Sequence, residues 1–202
     1  MKKILIPIIF ITFLLANDIS GVSYFEFSDN KFSLSRTYFT YKNTISDDLL
    51  VTFQTDVGQA EDDRLSTYLK KAQLDWKASE NMKLSMGLIG LNMFNVQEKT
   101  WGNRFVYKSA MDHYGFSSSA DLGFGITHKL GPVSANLLIT NGEGFKNMNP
   151  DDKNKISLQL LMGEKRLDKN DGYNIGVVYS SLKNWNDDKT TVKGFFGGWA
   201  SG

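Results

Sequence analysis

Short runs that alternate between apolar and polar side chains dominate this chain. A period of two commits such a chain to β-strands with one oily face and one wet face. Val51, Phe53 and Val57 alternate with Thr52, Gln54 and Asp56; Ala72, Leu74, Trp76 and Ala78 alternate with Lys71, Gln73, Asp75 and Lys77. The pattern returns at Leu122, Phe124 and Ile126, and again at Val133, Ala135, Leu137 and Ile139. It continues at Ile156, Leu158, Leu160 and Met162, then at Tyr173, Ile175, Val177 and Tyr179. Less regular runs near 19–28, 31–42, 82–91 and 192–200 bring the expected count to roughly ten strands.

Alternation alone fits a sandwich, whose polar face meets water outside, and a membrane barrel, whose polar face meets water inside. Connection lengths separate the two. Brief turns are expected near Asp47-Asp48, at 79–82 and at 129–132, with a moderate one at 164–171. Between them stand longer loops at 58–67, 92–119, 141–153 and 182–190. Short and long take turns, apart from a brief first connection at 28–31. A membrane barrel closes its hairpins tightly at one rim and extends them at the other, whereas a Greek-key sandwich has no cause to do so. The expected fold is therefore all-β: an antiparallel up-and-down transmembrane β-barrel.

The N-terminus agrees with export. Lys2 and Lys3 precede the apolar run Ile4 to Ala16, which is too short to span a hydrocarbon core needing roughly 20 residues and so reads as a signal peptide over 1–16. The barrel domain then occupies 17–202. Without the leader the balance is 21 basic against 22 acidic residues, which gives no reason to expect a nucleic-acid partner. Cysteine is absent, so disulfides, thiolate metal sites and a cysteine nucleophile are excluded. The two histidines, His113 and His128, have no partner at metal-ligand spacing, and no catalytic motif or cofactor-binding loop stands out. The acidic pairs at 47–48, 62–63, 151–152 and 187–188 read as turn residues rather than Ca²⁺ ligands.

The longest connection, 92–119, holds Trp101, Arg104, Lys108 and Asp112. Arg104, Lys108 and Asp112 are spaced four apart and would share one face of a short helix. A loop this long inside a compact fold is usually functional or disordered. The chain here resembles the general Gram-negative porins, particularly the phosphate-selective porin O/P-like group. The resemblance rests on the export signal, on Phe32-Ser33-Leu34-Ser35-Arg36 with Tyr38, on Thr55-Asp56-Val57, and on Trp101 and Arg104 in the long loop. It rests also on Ser119-Ala120-Asp121-Leu122-Gly123 and on the run from Ile139 through Asn141-Gly142-Glu143-Gly144 to Phe145.

The resemblance implies a Gram-negative outer-membrane location, passive diffusion of small hydrophilic solutes or ions, a homotrimer and no cofactor. It also implies that 92–119 folds inward as a constriction. Arg104 and Lys108, with Arg36 and Lys71 on the wall, would then favour anions, while Asp56, Asp75, Asp112 and Asp121 oppose them. A plainer reading makes Arg104, Lys108 and Asp112 a solvated helix face. Porins of this group need more strands than can be counted here, and the chain lacks their closing aromatic strand, so the stretch is expected to be an N-terminal portion. The alternative function is a secreted or surface β-protein that binds carbohydrate or another ligand through its long loops.

Overall fold

The structure, a computed structural model, describes residues 17–28, 30–59, 64–147, 154–183 and 189–202. The expected leader and the acidic pairs at 62–63, 151–152 and 187–188 lie outside these residues. Among the described residues ten strands follow one another: β1 (Asn17–Ser28), β2 (Lys31–Ser46), β3 (Leu49–Gln59), β4 (Leu65–Lys77), β5 (Met82–Gly90), β6 (Ala120–Leu130), β7 (Val133–Thr140), β8 (Lys155–Gly163), β9 (Gly172–Lys183) and β10 (Lys189–Ala200). Two short helices, α1 (Asn95–Trp101) and α2 (Ala110–His113), sit in the connection between β5 and β6. The strands form one antiparallel sheet in sequence order, the up-and-down meander that the alternation predicts. Among the described residues β1 and β10 do not pair, so the sheet is open.

The ends of β1, β3, β5, β7 and β9 and the starts of the strands that follow them share one rim; the ends of β2, β4, β6 and β8 and the starts of the strands that follow them share the other. The long connections are thus segregated, but two are shorter than the sequence suggested. β3 runs through Gly58 to Gln59 and β4 starts at Leu65, while β9 and β10 leave only 184–188 between them. Backbone pairing carries these strands past the point where side-chain alternation fades.

The two faces of the sheet reverse the arrangement of a soluble protein. On β8, Ser157 and Gln159 are buried while Ile156, Leu158 and Leu160 are exposed. On β9, Asn174 and Ser180 are buried, and Tyr173, Ile175, Val177 and Tyr179 are exposed. Asp56 of β3 and Asp121 of β6 are buried, while Phe53, Leu122 and Phe124 beside them are exposed. A soluble sheet buries its apolar face. The clustered hydrophobic core here is Ile89, Leu91 and Leu138, at the point where the long connection leaves β5.

What covers the polar face is the 91–119 connection. Its base closes at the long-loop rim, where Leu91 N–H donates to Ser119 O at 3.1 Å. The Asn92 amide then donates to Asn136 O at 3.0 Å, and Gln159 Nε2 donates to Asn92 O at 2.6 Å. α1 continues to the opposite rim, where Asn174 Nδ2 donates to Thr100 Oγ1 at 2.8 Å and a Cβ on Gly198 would lie 2.7 Å from Thr100 Cγ2. Gly102 ends α1 in the left-handed region, with φ 69, beside Asp168 in the 164–171 turn. The connection therefore traverses the inner face from rim to rim before returning.

The sheet curls around this connection. One cavity of about 710 Å³ is lined by Arg36 and Tyr38 of β2, by Lys70 and Lys71 of β4, and by Asp168 beyond β8. In a flat sheet six spacings of about 4.8 Å would set β2 and β8 roughly 29 Å apart. Only a curled wall brings them to one cavity of that volume.

Candidate functional site

Register explains how the wall presents its charges. Tyr38, Asp56 and Tyr68 occupy one level of β2, β3 and β4, with Arg36 one step nearer the long-loop rim. β4 contains a bulge: Thr55 pairs with Leu69 and Gln54 with Lys71, so Lys70 has no opposite residue. Without the bulge Lys70 and Lys71 would point to opposite faces; with it both line the cavity. The outward residues change phase at the same place, from Leu65 and Leu69 to Trp76, all of them exposed.

Asp56 is the electrostatic centre of this wall. It is 0% exposed, accepts from Arg36 Nε at 2.8 Å and from Arg36 Nη2, and lies 3.7 Å from Lys70 Nζ. Lys70 also sits 4.2 Å from the centre of the Tyr38 ring. The pairing of a buried carboxylate with two cations offsets a desolvation penalty that an isolated charge could not meet.

The 91–119 connection supplies the facing surface. Arg104 Nε lies 3.1 Å from Glu98 and Arg104 Nη2 lies 3.3 Å from Asp112, while Ser109 Oγ also donates to Glu98. These contacts tie α1 and α2 together across the intervening turn. Arg104 further lies 5.8 Å from the Tyr24 ring of β1, which joins the connection to the first strand. Lys99, on α1, is pushed down to about 8, first by burial and then by the nearby charges of Arg166 and Lys71.

Five of the residues singled out from sequence meet in this cavity: Arg36, Lys71, Arg104, Lys108 and Asp112. Asp56 lies directly behind them. Three do not line it. Trp101 ends α1 and donates from Nε1 to Tyr107 O at 3.0 Å, closing the turn of the connection. Asp75 is held on the inner face of β4 by Gln73, Ser85 and Lys83. Asp121 accepts backbone hydrogen bonds from Leu122, Gly142 and Gly144, which makes it an anchor for the 141–154 connection.

The expected helical face is also corrected. Arg104 and Lys108 fall in the irregular stretch between α1 and α2, because Gly102 stops the first helix and Ser109, with ψ 160, precedes the second. Arg104 reaches Asp112 by a fold-back of the chain. Tyr24 and Tyr38 line the cavity, whereas Phe25, Phe27, Phe32, Phe39, Trp76 and Trp199 are exposed.

Sequence reading missed Lys70, Glu98, Lys99, Phe145 and Lys146, all of which line the cavity. For Lys70 a signal existed: the apolar phase of β4 shifts by one residue at the Lys70-Lys71 pair. For the others, position depends on the path of a loop and carries no periodicity. Seven cationic side chains line the cavity against four acidic ones, leaving a positive surplus before Asp56 is counted. Among the described residues no three His, Asp or Glu side chains gather in a metal-binding group. No protein-family model matches the chain, and no curated protein matches it.

Proposed function

We propose that this chain forms the wall and constriction of an outer-membrane diffusion channel for small hydrophilic solutes, with a bias towards anions, as its resemblance to phosphate-selective porin O/P-like proteins implies. The observation that carries the reading is the inverted sheet, with buried serine, asparagine, glutamine and aspartate inside and exposed leucine, isoleucine, valine and aromatic side chains outside. An exposed apolar surface of that extent is a liability in water and a requirement in lipid.

Two further observations support it. The strands are 8 to 16 residues long, against roughly 9 to 11 needed for a tilted strand to cross a bilayer. Exposed aromatics stand near both rims, with Phe25, Phe27 and Phe32 at one and Trp76, Tyr173 and Trp199 at the other, although Phe39, Phe53 and Phe195 lie midway. Rim aromatics suit the headgroup layers of a bilayer. Within the wall, the 91–119 connection narrows the lumen, and the cationic surplus of the cavity sets the sign of selectivity. A conducting wall also needs the outer edges of β1 and β10 covered, since backbone groups left unpaired in lipid cost several kcal/mol each.

Fractionation followed by planar-bilayer recording tests the reading. The expected result is recovery in detergent-extracted outer membrane and a reversal potential that favours anions. Replacing Arg104 and Lys108 by alanine should move that potential towards zero. Recovery in soluble periplasm or medium would overturn the channel and favour a soluble ligand-binding β-protein.

A further inference from the structure

The 141–154 connection carries features that a wall and a single inward loop do not use. Its first residues are pinned at the base. Asp121, buried in β6, accepts from Leu122 N–H at 2.8 Å, Gly142 N–H at 2.5 Å and Gly144 N–H at 3.2 Å. Gly142 and Gly144 hold φ of 99° and 80°, which glycine adopts without penalty, and this lets both amides converge on one carboxylate. Asn147 N–H then donates to Gly144 O at 3.3 Å, closing a turn around Phe145 and Lys146.

That turn reaches β4, three strands from β7. Lys70 Nζ lies 5.5 Å from the Phe145 ring, and Lys146 Nζ lies 5.1 Å from the Tyr68 ring. Each side contributes one cation and one ring, a reciprocal pair of cation–π contacts. Phe145 and Lys146 line the cavity at the rim of the long loops.

We propose that residues 142–147 form a hinged strap across this mouth of the cavity, pinned by Asp121 and latched onto β4, and that Phe145 and Lys146 select solutes by width and charge. The hydrogen bonds to a buried carboxylate are the stronger attachment and the cation–π contacts the weaker, so the tip yields before the base. Selection of solutes rests on the channel reading; the strap itself does not.

The chain has no cysteine, so Lys71→Cys places a single thiol on the cavity wall. Its rate of modification is read in the full chain with a small anionic, a small cationic and a bulky methanethiosulfonate reagent. Phe145→Ala combined with Tyr68→Leu should speed the bulky reagent severalfold and leave the small ones nearly unchanged. Lys146→Glu, a change at an exposed position, should lower the anionic-to-cationic rate ratio by roughly fivefold or more. Rates that ignore both changes overturn the strap. If the thiol responds but the protein does not conduct, the channel reading fails and the strap stands; conduction with an unresponsive thiol is the reverse outcome.

Discussion

Asp56 shows how a single buried charge organises the wall of the cavity. Its carboxylate holds the Arg36 guanidinium and lies within ion-pair distance of Lys70, so its removal leaves two cations crowded on one face without a counter-charge. Asp56→Ala should lower the unfolding free energy by about 2 to 4 kcal/mol, read from urea titration in detergent or lipid; a change below 0.5 kcal/mol or so would show that solvent, not Asp56, satisfies the pair. Lys99 gives a different handle. Because burial and neighbouring cations hold its ammonium down to about 8, it sheds its proton as pH rises through that value. The cavity then loses positive charge, so anion preference should fall across this window, and Lys99→Met should reduce the step in reversal potential. The same depressed value means the folded protein gains stability as pH rises from about 8 towards the ordinary 10.5.

At the level of elements, glycine marks where strands approach too closely for a side chain. Gly163, at the end of β8, has φ 98°, and a Cβ there would lie 2.1 Å from Tyr173 O. Gly163→Ala should therefore cost about 2 to 3 kcal/mol in unfolding free energy, from backbone strain together with the forced separation of β8 and β9. An unaltered midpoint would mean that the pair relaxes freely. Strand order and facing were legible from sequence, because the alternation of Ile156, Leu158 and Leu160 with Ser157 and Gln159 fixes which side of β8 each residue takes. The bulge at Lys70 was not read, although the phase shift between Leu69 and Ala72 records it. The helix expected around Arg104 failed for a local reason, since spacing by four ignores the break that Gly102 imposes.

For the whole molecule the inversion of the two faces is the feature on which the proposed lipid-facing wall rests. Leu158 points outward near the middle of β8, where lipid contact is expected. Leu158→Arg should make insertion into vesicles less favourable by about 2 to 4 kcal/mol, measured as the shift in a urea-dependent folding equilibrium; unchanged partition would remove the lipid from that face. Alternation announced two-faced strands, connection lengths predicted that the polar face would be the enclosed one, and the burial of Ser157, Gln159, Asn174 and Ser180 agrees. The curl, and the five charged groups it gathers from β2, β4 and the long connection, depend on contacts between residues as distant as Thr100 and Asn174. Such pairings leave no local trace.

The rim-to-rim course of the 91–119 connection also makes it a brace. One chain segment hydrogen-bonds to Asn136, Gln159 and Asn174 on one side and approaches Tyr24 on the other, so it ties β7, β8 and β9 to β1 across the inner face. Contacts between residues so far apart in sequence slow folding. The connection that fills the inner face is thus also a cross-tie that holds the curvature of the sheet.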